Sequence, residues 1–158
     1  MLFRSVSTDE KARTARDHGC HHVVVTREYN FADAVMRASG GRGADLIVDG
    51  LGERGVRDNL ASLALFGHWV SVGQASGALP PLASDALVHR SATFSQPVIF
   101  HYTADPARLA EMAGRLWLAV QSGVVRPEIG GRFELGSAAE AHRLLESRAS
   151  RGALLLVP

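Results

Sequence analysis

One cysteine, Cys20, stands in a chain of 158 residues. No internal disulfide framework can form, and the scarcity fits a reducing compartment. Charge of one sign is lacking too: 17 Lys and Arg face 16 Asp and Glu, with no basic block. Neither nucleic acid nor anionic lipid is expected as a partner. No apolar run is long enough to span a bilayer. The opening residues Met1-Leu2-Phe3-Arg4-Ser5-Val6 are too short and polar for the apolar region of a signal peptide. A cytoplasmic location and no membrane association are therefore expected. Ser71 and Ser76 have no G-x-S-x-G elbow around them, and no P-loop occurs, so serine hydrolysis and P-loop chemistry have no support.

What the chain does have is enough apolar residue for a core, 46% against 21% charged, and the length of one ordinary domain. Its organising stretch is residues 43–55, a strand, a sharp glycine turn and a helix start. Leu46, Ile47 and Val48 form an unbroken apolar run, as in a parallel strand covered on both faces. Asp49 and Gly50 end it, where open α/β sheets bind ligands. Gly50, Gly52 and Gly55 spell G-x-G-x-x-G. A first dinucleotide-binding turn needs an acidic residue at the end of the next strand, to hold the ribose. The next strand here ends Val72-Gly73-Gln74. The stretch is thus read as a later strand of such a sheet.

Around it, strand and helix alternate with short loops through residue 73, the pattern of a parallel α/β sheet. Strands are expected over residues 2–6, 23–25, 46–48 and 69–72, with one more near residues 92–96. Ser7 with Glu10 reads as a capping box, and Asn30 as the cap of the following helix. Asp105-Pro106 starts a long helix with Leu109, Met112, Ala113, Leu116, Trp117 and Val120 on one stripe, expected to be core. The tail adds a strand over 129–135, a helix capped by Ser137, and a last strand over 153–157. His18, Cys20, His21 and His22 lack a second ligand group at metal spacing and read as loop residues. Asp45 is expected in solvent at the strand entrance. Asp49 fits a ligand role and ordinary Asp-Gly turn chemistry equally.

The run Asp45-Leu46-Ile47-Val48-Asp49-Gly50-Leu51-Gly52 resembles the segment VDVVYDGVG of zinc-independent quinone oxidoreductases. These are the zeta-crystallin-like branch of the medium-chain dehydrogenases. Counterparts follow in order at Val6-Ser7-Thr8-Asp9-Glu10-Lys11-Ala12, Gly40-Gly41-Arg42-Gly43, Val70-Ser71-Val72-Gly73-Gln74-Ala75-Ser76-Gly77, Phe100-His101-Tyr102-Thr103, Glu140-Ala141-His142-Arg143-Leu144-Leu145-Glu146 and Gly152-Ala153-Leu154-Leu155-Leu156-Val157-Pro158. Each piece is short, but seven at matching spacing cover the chain almost end to end.

The resemblance implies a partial Rossmann-type, doubly wound parallel sheet lacking its first strand and that strand's pyrophosphate loop. Residues 1–124 would be the partial NAD(P)-binding domain, and residues 125–158 a return segment that packs on a substrate domain this chain lacks. Poor stability or oligomerisation would follow from the missing central strand. The implied reaction is hydride transfer from NADPH to a quinone or activated alkene without zinc, not performed by this chain alone, and the implied assembly is a homodimer. By the same resemblance Ser7, Lys11 and Arg27 sit where the family holds the adenosine 2′-phosphate. Two cations and a hydroxyl suit that dianion. Leu51 and Gly52 would pass the adenosine half, Gly73, Gln74 and Ala75 the nicotinamide, Phe94, Ser95 and Gln96 the carboxamide, and Arg151 the pyrophosphate. No catalytic acid, base or metal ligand is assigned. Two other readings stay open: a non-catalytic assembly remnant of such an enzyme, and a methyltransferase using S-adenosylmethionine.

Overall fold

The alternation of strand and helix is what the computed structural model shows; it describes residues 1–147 and 149–158. β1 (Phe3–Val6), α1 (Asp9–Asp17) and β2 (His22–Val25) form a right-sized β–α–β unit, and β1 pairs parallel to β2 from Phe3↔His22 to Val6↔Val25. After α2 (Ala32–Ala38), β3 (Ala44–Asp49) leads through a 3-10 turn at Glu53–Gly55 into α3 (Val56–Ser62) and β4 (Leu63–Ser71). The short helix α4 (Asp85–Val88) then precedes β5 (Thr93–Ser95), and β3, β4 and β5 make a second parallel sheet in that order. No pairing joins β1 to β3 among the described residues.

These elements lie in one compact unit, Met1–Val98. The other unit, Ile99–Pro158, holds α5 (Ile99–Thr103), α6 (Pro106–Gln121), β6 (Ile129–Glu134), α7 (Ala138–Glu146) and β7 (Ala153–Val157), with β6 parallel to β7. No helix among the described residues is long and apolar enough to cross a membrane.

Local chemistry differs from expectation at several places. Thr8, not Ser7, caps α1: the backbone stays extended through Thr8, whose Oγ1 accepts from Lys11 N at 3.2 Å. The N-terminus of α2 is capped from a distance. Ala32 N donates to the buried Asp58 carboxylate of α3 at 2.8 Å, while Asn30 Oδ1 accepts from Thr26 Oγ1. β4 begins six residues earlier than the expected 69–72, because Leu63 opposes Ala44 and the register slips before Leu46 meets His68. Gly43 permits this junction, since its φ is +88° and a Cβ there would lie 2.6 Å from Ser62 O. The stripe on α6 is not core. Leu109, Leu116 and Trp117 stay exposed, although Asp105 caps the helix through Ala107 N at 2.9 Å as the sequence predicts.

The core of the Met1–Val98 unit sits on the face of the β3–β4–β5 sheet that carries Ile47, Trp69 and Phe94, which are register partners. Trp69 is fully buried and meets Phe94 edge-on, with ring centroids 4.8 Å apart. Replacing it leaves a large cavity in a small core. Trp69→Ala is expected to lower stability by about 3–5 kcal/mol, read as a fall in the urea midpoint, with Trp69→Phe losing distinctly less.

Candidate functional site

The site is built from the turns that follow β3 and β4. Because Asp49 lies opposite Ser71 in the parallel register, both strands leave the sheet at one level. The Asp49 carboxylate is buried and accepts from Leu51 N at 2.9 Å and Gly52 N at 3.3 Å. This is the turn chemistry of an Asp-Gly pair, in which the aspartate side chain folds the backbone that follows it. Val72 N then bonds Asp49 O at 2.7 Å, Ala75 N bonds Gly50 O at 3.1 Å and Ser76 N bonds Leu51 O at 2.7 Å. Ser76 Oγ also donates to Leu51 O and accepts from Arg54 N. The two glycine turns are thereby laced into one rigid edge. Gly52 is required at its centre, since its φ is +83° and a Cβ would lie 2.3 Å from Gly77 O.

The structure brings Leu51, Gly52, Gly73, Gln74 and Ala75 together on this edge, with Gln74 and Ala75 exposed. Phe94 and Ser95 lie on the neighbouring strand β5, and Gln96 directly follows it. Phe94 packs on Trp69, and Ser95 Oγ is 2.8 Å from His68 Nε2. Ser7 and Lys11 stand after the carboxyl end of β1, and Arg27 after that of β2, beside which Thr26 N bonds Val6 O at 2.8 Å. Arg151 belongs to the Ile99–Pro158 unit, ahead of β7. Asp45 is exposed and pairs with Arg42. His21 Nδ1 accepts from Leu2 N at 3.0 Å and His22 stacks on Phe3, so both histidines serve the β1–β2 unit.

A contact that sequence reasoning missed joins these groups. The Arg54 guanidinium sits 4.6 Å above the Tyr29 ring, linking the turn after β3 to the loop after β2. The two half-sheets therefore present their carboxyl ends on one side. Tyr29 reaches this position with φ of 62°, and the pair spans 25 residues of sequence, so no local signal announces it.

The sequence profile of the family described as zinc-binding dehydrogenase matches residues 18–156. The chain belongs to that family. It is 33% identical over 99% of its length to the 2-haloacrylate reductase of a Burkholderia species, covering 48% of that protein. With a quinone oxidoreductase of Pseudomonas aeruginosa it shares 32% identity over 100% of its length and 49% of the relative. The crystal structure of Escherichia coli quinone oxidoreductase complexed with NADPH is 29% identical, with a TM-score of 0.87 over 99% of this chain and 49% of that one. The chain thus spans about half the length of the relatives it matches, and within the family it is the C-terminal part of the zeta-crystallin-like branch. This membership leaves the methyltransferase alternative without ground. The family description mentions zinc; no group of three His, Cys, Asp or Glu able to hold a metal ion occurs among the described residues.

Asp49→Ala removes the acceptor of two turn amides at a buried place. We expect a loss of about 1–3 kcal/mol in chemical denaturation, and a smaller loss for Asp49→Asn, which keeps one oxygen for Leu51 N.

Proposed function

We propose that this chain is the cofactor-binding half of an NADPH-dependent, zinc-free quinone oxidoreductase, active only with a substrate-binding half. The observation that carries the reading is the laced edge of glycine turns at the carboxyl ends of β3 and β4, in a chain whose fold follows an NADPH-bound relative. In open α/β sheets ligands lie in the crevice outside those ends.

The residues present suit NADPH. Gly50 has open space where a Cβ would stand, so a ligand can approach its backbone closely. Ser7 and Lys11 follow β1 and Arg27 follows β2, and a hydroxyl with two cations would suit a 2′-phosphate dianion. Leu51 and Gly52 would flank the adenosine half, and Gly73, Gln74 and Ala75 the nicotinamide. Phe94, Ser95 and Gln96 would meet the carboxamide and Arg151 the pyrophosphate. NADPH, when bound, supplies a hydride to a quinone or an activated alkene. The protein's part is to bind and orient it. On this reading residues 1–124 serve the cofactor, residues 125–158 pack on the substrate half, and the enzyme works as a cytoplasmic homodimer without nucleic acid or membrane.

A second reading, a non-catalytic assembly remnant, is favoured by the uncovered side chains Phe66, Phe100, Trp117, Leu118 and Val124. The two readings separate in a thermal-shift titration with NADPH, NADH and no ligand. The cofactor reading expects a larger shift with NADPH than with NADH, and loss of that preference in the double variant Lys11→Ala, Arg27→Ala. A size that grows with concentration and a melting point unmoved by either nucleotide would support the remnant instead.

A further inference from the structure

Tyr29 holds a left-handed backbone conformation, φ of 62°, which a bulky side chain adopts only at an energetic cost. A small turn keeps it there. Thr26 Oγ1 accepts from Glu28 N at 3.2 Å and from Asn30 N at 3.4 Å, and donates to Asn30 Oδ1. The half-buried ring lies under the Arg54 guanidinium, whose Cζ is 4.6 Å from the ring centroid. Arg54 is anchored from its own side, because its backbone N donates to Ser76 Oγ at 3.0 Å and Ser76 is laced to Leu51 O. A strained loop residue and a rigid turn thus meet in one flat stack at the carboxyl ends of β2 and β3.

The stack has an open side. A guanidinium is planar, and only one of its two faces covers Tyr29. Arg54 is exposed, and no carboxylate pairs with it among the described residues. The adjacent Glu53 turns its carboxylate to Gly77 instead, where a Cβ would lie 2.6 Å from Glu53 Oε2. An arginine fixed by an aromatic ring, and not neutralised by an acid, keeps a flat cationic face for a second π-system. Purine bases stack on such guanidinium planes. The position suits a base as well. Arg54 follows Gly52 by two residues and Tyr29 follows Arg27 by two. The stack therefore stands between the turn read above as flanking adenosine and the cation read as meeting the 2′-phosphate.

We propose that Arg54 and Tyr29 form a stacking platform for the adenine ring of an adenosine nucleotide, which is the adenosine half of NADPH on the reading above. The base lies on the outer face of the guanidinium, and Tyr29 backs that face from below. Arg54 acts here through its plane and not as a further phosphate cation. The platform therefore strengthens NADPH and NADH alike, and the choice between them stays with Ser7, Lys11 and Arg27. The proposal rests on the cofactor reading and deepens it by naming what holds the base.

The test is an NMR titration of the full chain with adenosine 2′,5′-bisphosphate, and with reduced nicotinamide mononucleotide as the control. The Arg54 side-chain and Tyr29 ring signals are expected to move with the bisphosphate and to stay still with the mononucleotide. Arg54→Ala and Tyr29→Asn are each expected to weaken the bisphosphate, NADPH and NADH by about tenfold. Asparagine suits the left-handed backbone at position 29, so that variant keeps the turn. Arg54→Lys retains the charge without the plane and is expected to lose nearly as much, whereas Tyr29→Phe loses little. Wild-type binding by Arg54→Lys, or a loss confined to nucleotides that carry the 2′-phosphate, would overturn the platform. So would Arg54 and Tyr29 signals unmoved by millimolar bisphosphate; if Lys11 and Arg27 respond in that experiment, the cofactor reading survives without the platform. Conversely, a bisphosphate that moves Arg54 and Tyr29 in a chain whose melting point neither NADPH nor NADH raises would sink the cofactor reading and leave the adenine site standing.

Discussion

The register of β3 on β4 is the constraint on which the rest depends. By setting Asp49 opposite Ser71 it brings two glycine turns off the sheet side by side, close enough for backbone bonds between them. The buried Asp49 carboxylate then holds the first turn, and Gly52 lets the second approach its backbone. None of these groups need do chemistry. Their product is a stiff, open edge at the ligand end of a parallel sheet. Such an edge serves a cofactor that carries its own reactivity, because what it requires of the protein is position.

The same sheet explains which side chains stay uncovered. A parallel strand is stable when flanked on both edges and covered on both faces. β4 meets the first condition, and its Trp69 is fully buried. β3 meets it on one side only. The consequence is graded along the residues: Ile47 shares the Trp69 face and is partly covered, while Leu46 and Val48 on the other face stand open. Two long-range contacts join the elements on either side of this gap. Arg54 on Tyr29 bridges the carboxyl end, and Asp58 capping Ala32 ties α3 to α2. Neither contact pairs β1 with β3.

Much of this was legible in the sequence because it is local. The apolar run at Leu46-Ile47-Val48, the Asp-Gly turn after it and the proline-led start of α6 each declare themselves within a few residues, and the order of strands and helices follows. What was illegible is non-local or competitive. Ser7 and Thr8 are equally good caps on paper, and the choice fell to how far β1 stays extended. Asn30 lost the α2 cap to Asp58, 26 residues away from Ala32. The α6 stripe has helical spacing and still stays exposed, since periodicity says which face is apolar and not whether a partner is present to cover it. Of the proposed site, the glycine turns were readable as turns. Their lacing through Ser76, and the Tyr29–Arg54 contact, depend on a register that no window of sequence contains.

The balance of surface makes the same point in area. The chain exposes 10917 Å². Two self-sufficient proteins the size of its two units would together expose about 9,000 Å², so the excess is on the order of 2,000 Å². That excess is not scattered polar surface, for Leu46, Val48, Phe66, Phe100, Trp117 and Val124 all contribute to it. Large apolar area left in water is ordinarily matched by something that covers it. Against it stands a small core, in which Phe31, Val35, Leu63 and Trp69 are the large apolar residues buried among those described, the last two of them fully. A polypeptide so divided has a well-bonded sheet edge above a small core. The well-formed edge and the uncovered side chains are then two sides of one arrangement: the turns are held by hydrogen bonds between them, whereas the strands beneath them are held by burial.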